Sequence, residues 1–103
     1  MIIVEGWVRA TPEEIERLRP AAVEMMRATK ANEPGCLEYA YAVDLADPGL
    51  LRVIERWVDD AALAAHFSSP HMAAFGQAMA TAQISAMSVK AYKSQDGRTL
   101  MER

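Results

Sequence analysis

The chain is 103 residues long, 51% apolar and 24% charged, with a net charge of -3 at pH 7. That length fits one domain around a single core, which at this size buries roughly 65% of the unfolded surface and stands without disulfides or metals. Acids and bases are interspersed and no apolar run nears the roughly 20 residues of a membrane span, so neither nucleic acid nor membrane is an expected partner.

Residues 2–9, IIVEGWVR, are rich in β-branched side chains and predict a first strand. The acid at Glu5 also excludes a signal-peptide core, which makes the cytoplasm the expected location. Thr11-Pro12-Glu13-Glu14 then supplies an N-cap, a proline at the first helical position and a capping-box glutamate at the third. Ile15, Leu18, Ala22, Met25 and Met26 recur at helical spacing and predict one buried face through about Asn32. Pro20 falls inside that helix. Lacking an N–H and crowding the carbonyl four residues back, it is expected to kink or divide it.

Glu33-Pro34-Gly35 reads as a breaker, and CLEYAYAVD after it alternates. Leu37, Tyr39, Tyr41 and Val43 are expected on one face, with Cys36, Glu38, Ala40 and Ala42 on the other. Cys36 is the single cysteine, in strand context, and reads as a reduced, packed thiol with no catalytic role. Ala46-Asp47-Pro48-Gly49 predicts the turn of a hairpin and LLRVIERWV its second strand. Asp59 is expected to cap a short helix with Leu63, His66 and Phe67 on one face. Ser69-Pro70 ends it and starts another, with Met72, Phe75, Gly76 and Met79 inward. Ile84 to Lys93 reads as the last strand, and SQDGRTLMER as a polar, mobile arm.

The order β, α, β, β, α(α), β predicts an α+β fold of the ferredoxin-like plan, a four-stranded antiparallel sheet with helices on one face. The expected division is one domain over residues 1–93 and a polar tail over 94–103. Strand 50–58 is apolar on both faces, with Leu51, Val53 and Trp57 on one and Leu50, Ile54 and Val58 on the other. Helices cover only one such face, so a homodimer through the open sheet face is expected.

The five glycines never reach the spacing of a phosphate or dinucleotide loop. His66 and His71 stand five apart across a proline, poor spacing for a shared metal, and no Cys-x-x-Cys pair is present, so no metal is expected. Ser68 and Ser69 lack the glycine context of a hydrolase nucleophile. His66, among Leu63 and Phe67, reads either as a desolvated, proton-accepting base or as a satisfied core histidine. His71 reads as a surface or capping residue. Glu55, on the strand face of Val53 and Trp57, needs a partner if that face is inside. Trp57, Tyr39, Tyr41, Met72, Phe75 and Met79 read by default as core or interface packing, with pocket walls as the alternative.

The run EPGCLEYAYAV, the Asp47-Pro48 turn and IERWVDDAALAAHFSSPHMAAF together resemble the antibiotic biosynthesis monooxygenase (ABM) family, including the small quinol monooxygenases, from about Ile2 to Tyr92. The most specific elements are Glu33-Pro34-Gly35-Cys36, Glu55-x-Trp57 with Asp59 or Asp60, and His66 followed by Ser69-Pro70-His71. The resemblance implies a dimeric α+β barrel. It also implies oxygenation of a small phenolic, hydroquinone or polycyclic aromatic substrate by O₂, with no flavin, haem or metal cofactor. On that reading His66 is the base, Trp57, Phe75 and Met72 bound the substrate, and Tyr39 or Glu55 orients it. A related branch cleaves haem with an asparagine on its first strand; this chain has none between Ile2 and Arg9, which argues against haem cleavage. The competing expectation is a non-catalytic dimeric module of the same fold, binding a small ligand or serving a stress-related role, with His66 and Glu55 as structural polar groups.

Overall fold

The structure is a computed structural model that describes residues 1–95 and 97–103; Asp96, within the expected polar arm, lies outside the described residues. Its elements are β1 (Ile2–Arg9), α1 (Pro12–Asn32), β2 (Cys36–Asp44), β3 (Asp47–Trp57), α2 (Asp60–Phe67), α3 (Pro70–Ala80) and β4 (Ala86–Lys93). The strands form one antiparallel sheet in the order β2-β3-β1-β4. β3 and β1 thus pair with each other at the centre while β2 and β4 lie at the edges, the ferredoxin-like arrangement expected from the element order.

α1 begins where the capping signals put it. The Thr11 hydroxyl accepts from the Glu14 N–H at 3.1 Å, with Pro12 at the first helical turn. The reciprocal half of the capping box is absent, because the Glu14 carboxylate instead pairs with Arg17 and accepts from the Gln83 N–H at 2.7 Å. Those contacts hold its carboxyl down at about 2. Pro20 does not divide the helix: α1 is one element of 21 residues. The proline sits on the exposed side, so the Glu16 carbonyl that loses its i+4 donor faces outward and not into the core. Ile15, Leu18, Ala22 and Met25 face the sheet and are buried, as their spacing requires.

Alternation along β2 holds only from Tyr39 onward. A bulge between Cys36 and Glu38 inserts Leu37 as an extra residue. Such an insertion reverses the facing of what precedes it, so Cys36 packs inward beside Trp57 and Leu37 is 52% exposed, the opposite of the simple alternation. The hairpin turn also lies earlier than expected, at residues 45–46, and β3 begins at Asp47. Asp44 Oδ1 accepts from the Ala46 N–H at 2.8 Å and closes the turn locally. Pro48 is tolerated within β3 because the pairing with β1 starts only at Leu50. β4 starts at Ala86 rather than Ile84.

Ile2, Val4, Met25, Tyr39 and Trp57 form the buried cluster between the sheet and α1. Full burial of each such side chain contributes about 1.5–3 kcal/mol. The other sheet face carries Trp7, Ile54 and Tyr92 beside Glu5, Arg52 and Lys90, and no helix among the described residues covers it. No helix among the described residues is long and apolar enough to cross a membrane.

Gly35 sets how closely the α1–β2 connection approaches α2. A Cβ built there meets the Ala62 Cβ at 2.5 Å, and the neighbouring backbone is pinned by the Val58 N–H donating to the Gly35 carbonyl at 3.0 Å. Neither methyl can swing away. Gly35→Ala is therefore expected to cost about 1–3 kcal/mol in urea unfolding, the usual range for overpacking. Stability within about 0.5 kcal/mol of wild type would contradict this packing.

Candidate active site

His66 occupies the last turn of α2 and is 1% exposed. Its ring packs between Trp57, 4.8 Å away centre to centre, and Tyr39, at 5.3 Å. The chain then turns sharply: the Ser69 N–H and hydroxyl both donate to the His66 carbonyl, at 3.1 and 2.7 Å, and Ser69 Oγ caps α3 by accepting from the Met72 N–H. That double clamp sets His71, in the first turn of α3, beside His66, with ring centres 5.8 Å apart. His71 is accordingly not a free surface residue. The five-residue step across a proline brings the two imidazoles together, contrary to the expectation from spacing alone.

Both rings converge on Glu33, the C-cap of α1. Its Oε2 lies 2.6 Å from His66 Nδ1 and 2.6 Å from His71 Nε2. An ionised carboxylate only accepts, so each of these ring nitrogens carries a proton and donates it. In a neutral His66 the remaining nitrogen, Nε2, therefore bears a lone pair. Among the described residues Nε2 has no hydrogen-bond partner and no buried polar side-chain atom is left unpaired, and His66 lines the cavity. His66 Nδ1 is thus taken up by Glu33, while the residue itself forms part of the cavity lining. Glu33 was legible in the sequence only as part of a helix breaker and of the Glu33-Pro34-Gly35-Cys36 motif.

The cavity, about 770 Å³, lies between the sheet and the helices. Tyr39, Tyr41, Glu55 and His66 contribute its polar groups; Val8, Leu18, Met26, Val43, Met72 and Phe75 are among its apolar lining, and Arg19 stands at the rim. Phe75 stacks on Tyr41 at 5.7 Å. Phe67 lines the cavity while remaining 64% exposed, so it belongs to the mouth and not to the buried face expected for it with His66. Trp57, expected as a wall, is fully buried and lies behind the lining. It holds two groups that do face the cavity: its Nε1–H donates to Glu55 Oε1 at 2.9 Å, and its ring supports His66.

Glu55 is 7% exposed, and burial pushes its carboxyl above the ordinary 4.5, against the opposing pull of the Trp57 hydrogen bond and of His66. The Tyr39 and Tyr41 hydroxyls bond to each other at 2.7 Å. Burial raises both, Tyr41 to about 12 and Tyr39 further, so both stay neutral near pH 7. The cavity therefore presents one histidine base, one carboxyl whose proton affinity burial raises and two neutral hydroxyls. That set can remove a proton from a bound hydroxyl and hydrogen-bond the oxygen it leaves.

The fold and this cavity define an α+β protein of the ferredoxin-like type with a site between sheet and helices. The profile of the family described as "Antibiotic biosynthesis monooxygenase" matches residues 1–78, and the chain belongs to that family. A Deinococcus radiodurans structure that carries the same family's name superposes with a TM-score of 0.89 at 27% identity, covering 99% of this chain and 100% of the other. A second structure, called an antibiotic biosynthesis monooxygenase, is 30% identical with a TM-score of 0.81, covering 93% of this chain and 100% of that one. The Synechocystis protein sll1783, whose name assigns no function, is 25% identical over 99 residues, 96% of this chain and 67% of its own length.

Glu55 yields a pH test. An acid whose folded-state value is raised binds its proton more tightly when folded, so its contribution to stability falls as pH rises from about 4.5 toward the raised value. Glu55→Gln keeps an oxygen for the Trp57 N–H and abolishes this titration. The stability difference between variant and wild type, from urea unfolding at a series of pH values, is expected to move in favour of the variant as pH increases. A trend in favour of wild type would contradict the assignment.

Proposed function

We propose that this protein is a cofactor-independent monooxygenase that oxidises a small phenolic, hydroquinone or polycyclic aromatic substrate with O₂. The observation that carries the reading is a buried histidine in the lining of a largely apolar cavity, its Nδ1 taken up by Glu33 and its Nε2 without a partner among the described residues. His66 takes the phenolic proton. The electron-rich phenolate gives one electron to O₂, and the resulting radical and superoxide combine at a ring carbon. Proton return to the peroxide and cleavage of its O–O bond release water and leave the quinone, so one phenol and one O₂ become one quinone and one water.

In this mechanism Phe75 and Met72 bound the substrate ring, while Tyr39 and Glu55 hydrogen-bond its oxygens. A dry site favours the step, because electron transfer leaves small charged species that bulk water would intercept. Trp57 contributes by supporting His66 and Glu55. The family assignment supports a monooxygenase role in general terms; phenolic chemistry rests on the cavity's own groups. We further propose a homodimer through the uncovered sheet face, where Trp7, Ile54 and Tyr92 lie among charged neighbours.

Oxygen uptake by metal-free protein across a panel of hydroquinones and polycyclic phenols is expected to exceed autoxidation for at least one compound. In His66→Ala it should fall by about 10²- to 10⁴-fold, the usual contribution of a general base. Unchanged turnover in that variant removes His66 from the mechanism. If His66→Ala and Glu55→Gln only lower stability, by about 1–3 kcal/mol for unpaired buried groups, and no panel member turns over, the non-catalytic module is the better description. Light scattering is expected to give the mass of two chains, and a strictly monomeric protein would contradict the dimer.

A further inference from the structure

Glu33 and His71 do not line the cavity, yet the side chain of each is only 12% exposed, and both converge on the buried side of His66. We propose that Glu33 is the positioning residue of this site and that His71 holds it in place, the two together keeping the His66 proton on Nδ1 and its lone pair on the cavity side. The proposal rests on the reading of His66 as the base. The two tautomers of a neutral imidazole interconvert readily through solvent, and the ring can also turn over by rotation about its last torsion; either change would present an N–H to the cavity in place of a lone pair.

Several contacts resist both changes. The Glu33 backbone is fixed at both ends, its N–H donating to the Thr29 carbonyl and its carbonyl accepting from Cys36, each at 3.0 Å. Its carboxylate therefore reaches out from a rigid cap. His71 donates to the same Oε2 that receives His66, and this second donor prevents the carboxylate from swinging away. Trp57 and Tyr39 pack against the His66 ring and oppose its rotation. Ser69 couples the ends of α2 and α3, so the two histidines keep their spacing.

The same three ligand atoms lie within 4.8 Å of one another, close enough to consider a metal. Both N···O separations, however, are 2.6 Å. Two ligands about 2.05 Å from a tetrahedral zinc stand roughly 3.3 Å apart, so the observed spacing is that of hydrogen bonds.

The test is long-range ¹H–¹⁵N NMR of histidine-labelled protein without substrate, which reads the tautomer directly. Wild-type His66 is expected to carry its proton on Nδ1 with Nε2 bare. Glu33→Met, which removes the acceptor, should give a mixture or the reverse tautomer; Glu33→Gln, which keeps an oxygen, should restore Nδ1–H; His71→Ala should fall between. With a turned-over phenol, Glu33→Met should lower kcat by about 10- to 100-fold at a KM within about twofold, and Glu33→Gln should recover most of that loss. If Glu33→Met does not fold, His71→Ala set against wild type carries the comparison, and an unchanged Nδ1–H tautomer in it overturns the role given to His71. An Nε2–H tautomer in wild type overturns the proposal, as does Nδ1–H persisting in Glu33→Met. So does a zinc-induced rise in melting temperature that His71→Ala abolishes. If no phenol turns over, the monooxygenase reading fails and the tautomer still decides the role of Glu33.

Discussion

A single carboxylate oxygen that accepts from two imidazoles joins the parts of the molecule that face the cavity. Glu33 ends α1, His66 ends α2 and His71 begins α3, so one oxygen links three helices over sequence separations of 33 and 38 residues. Leaving any of these groups unpaired at such depth would cost about 1–3 kcal/mol, more for the charge. The helices therefore cannot shift relative to one another without breaking this contact. Because α2 and α3 contribute Phe67, Met72 and Phe75 to the cavity, its shape follows from the same bond set.

The sheet supplies the opposite wall and the chemistry that complements the base. Glu55 and Trp57 alternate on β3, so both side chains point to the helix side, and the indole N–H binds the carboxylate two residues before it. Tyr39 pairs with Glu55 across β2 and β3, which places its hydroxyl, bonded to Tyr41, on the same wall. The bulge at Leu37 makes this possible: without the extra residue, Cys36 and Tyr39 would lie on opposite faces and only one could pack beside Trp57.

Local signals made most of the architecture legible. Thr11 and Pro12 marked the start of α1, Asp59 and Ser69 the starts of α2 and α3, and the apolar spacing of Ile15 to Met25 its buried face, because capping and periodicity act over a few residues. The misreadings had equally local causes. The Asp44 side chain closes the hairpin ahead of the Pro-Gly pair, and Pro20, on the exposed side of α1, does not divide it. His66, Glu55, Tyr39, Met72 and Phe75 were visible as polar or large apolar groups at inward spacings, and all five line the cavity. Glu33 and His71 were not, since a carboxylate at a helix end and a histidine after a proline acquire a partner only when α1, α2 and α3 come together. No periodicity reports that convergence.

The central claim is that this cavity holds a phenol against a lone-pair nitrogen and takes its proton. Anaerobic absorption titration with a nitro-substituted phenol, buffered below the phenol's own pKa, tests it without requiring turnover. The bound ligand is predicted to absorb as the phenolate in wild type and as the neutral phenol in His66→Ala. A neutral-phenol spectrum on saturated wild-type protein, or a phenolate spectrum in the variant, would contradict the account.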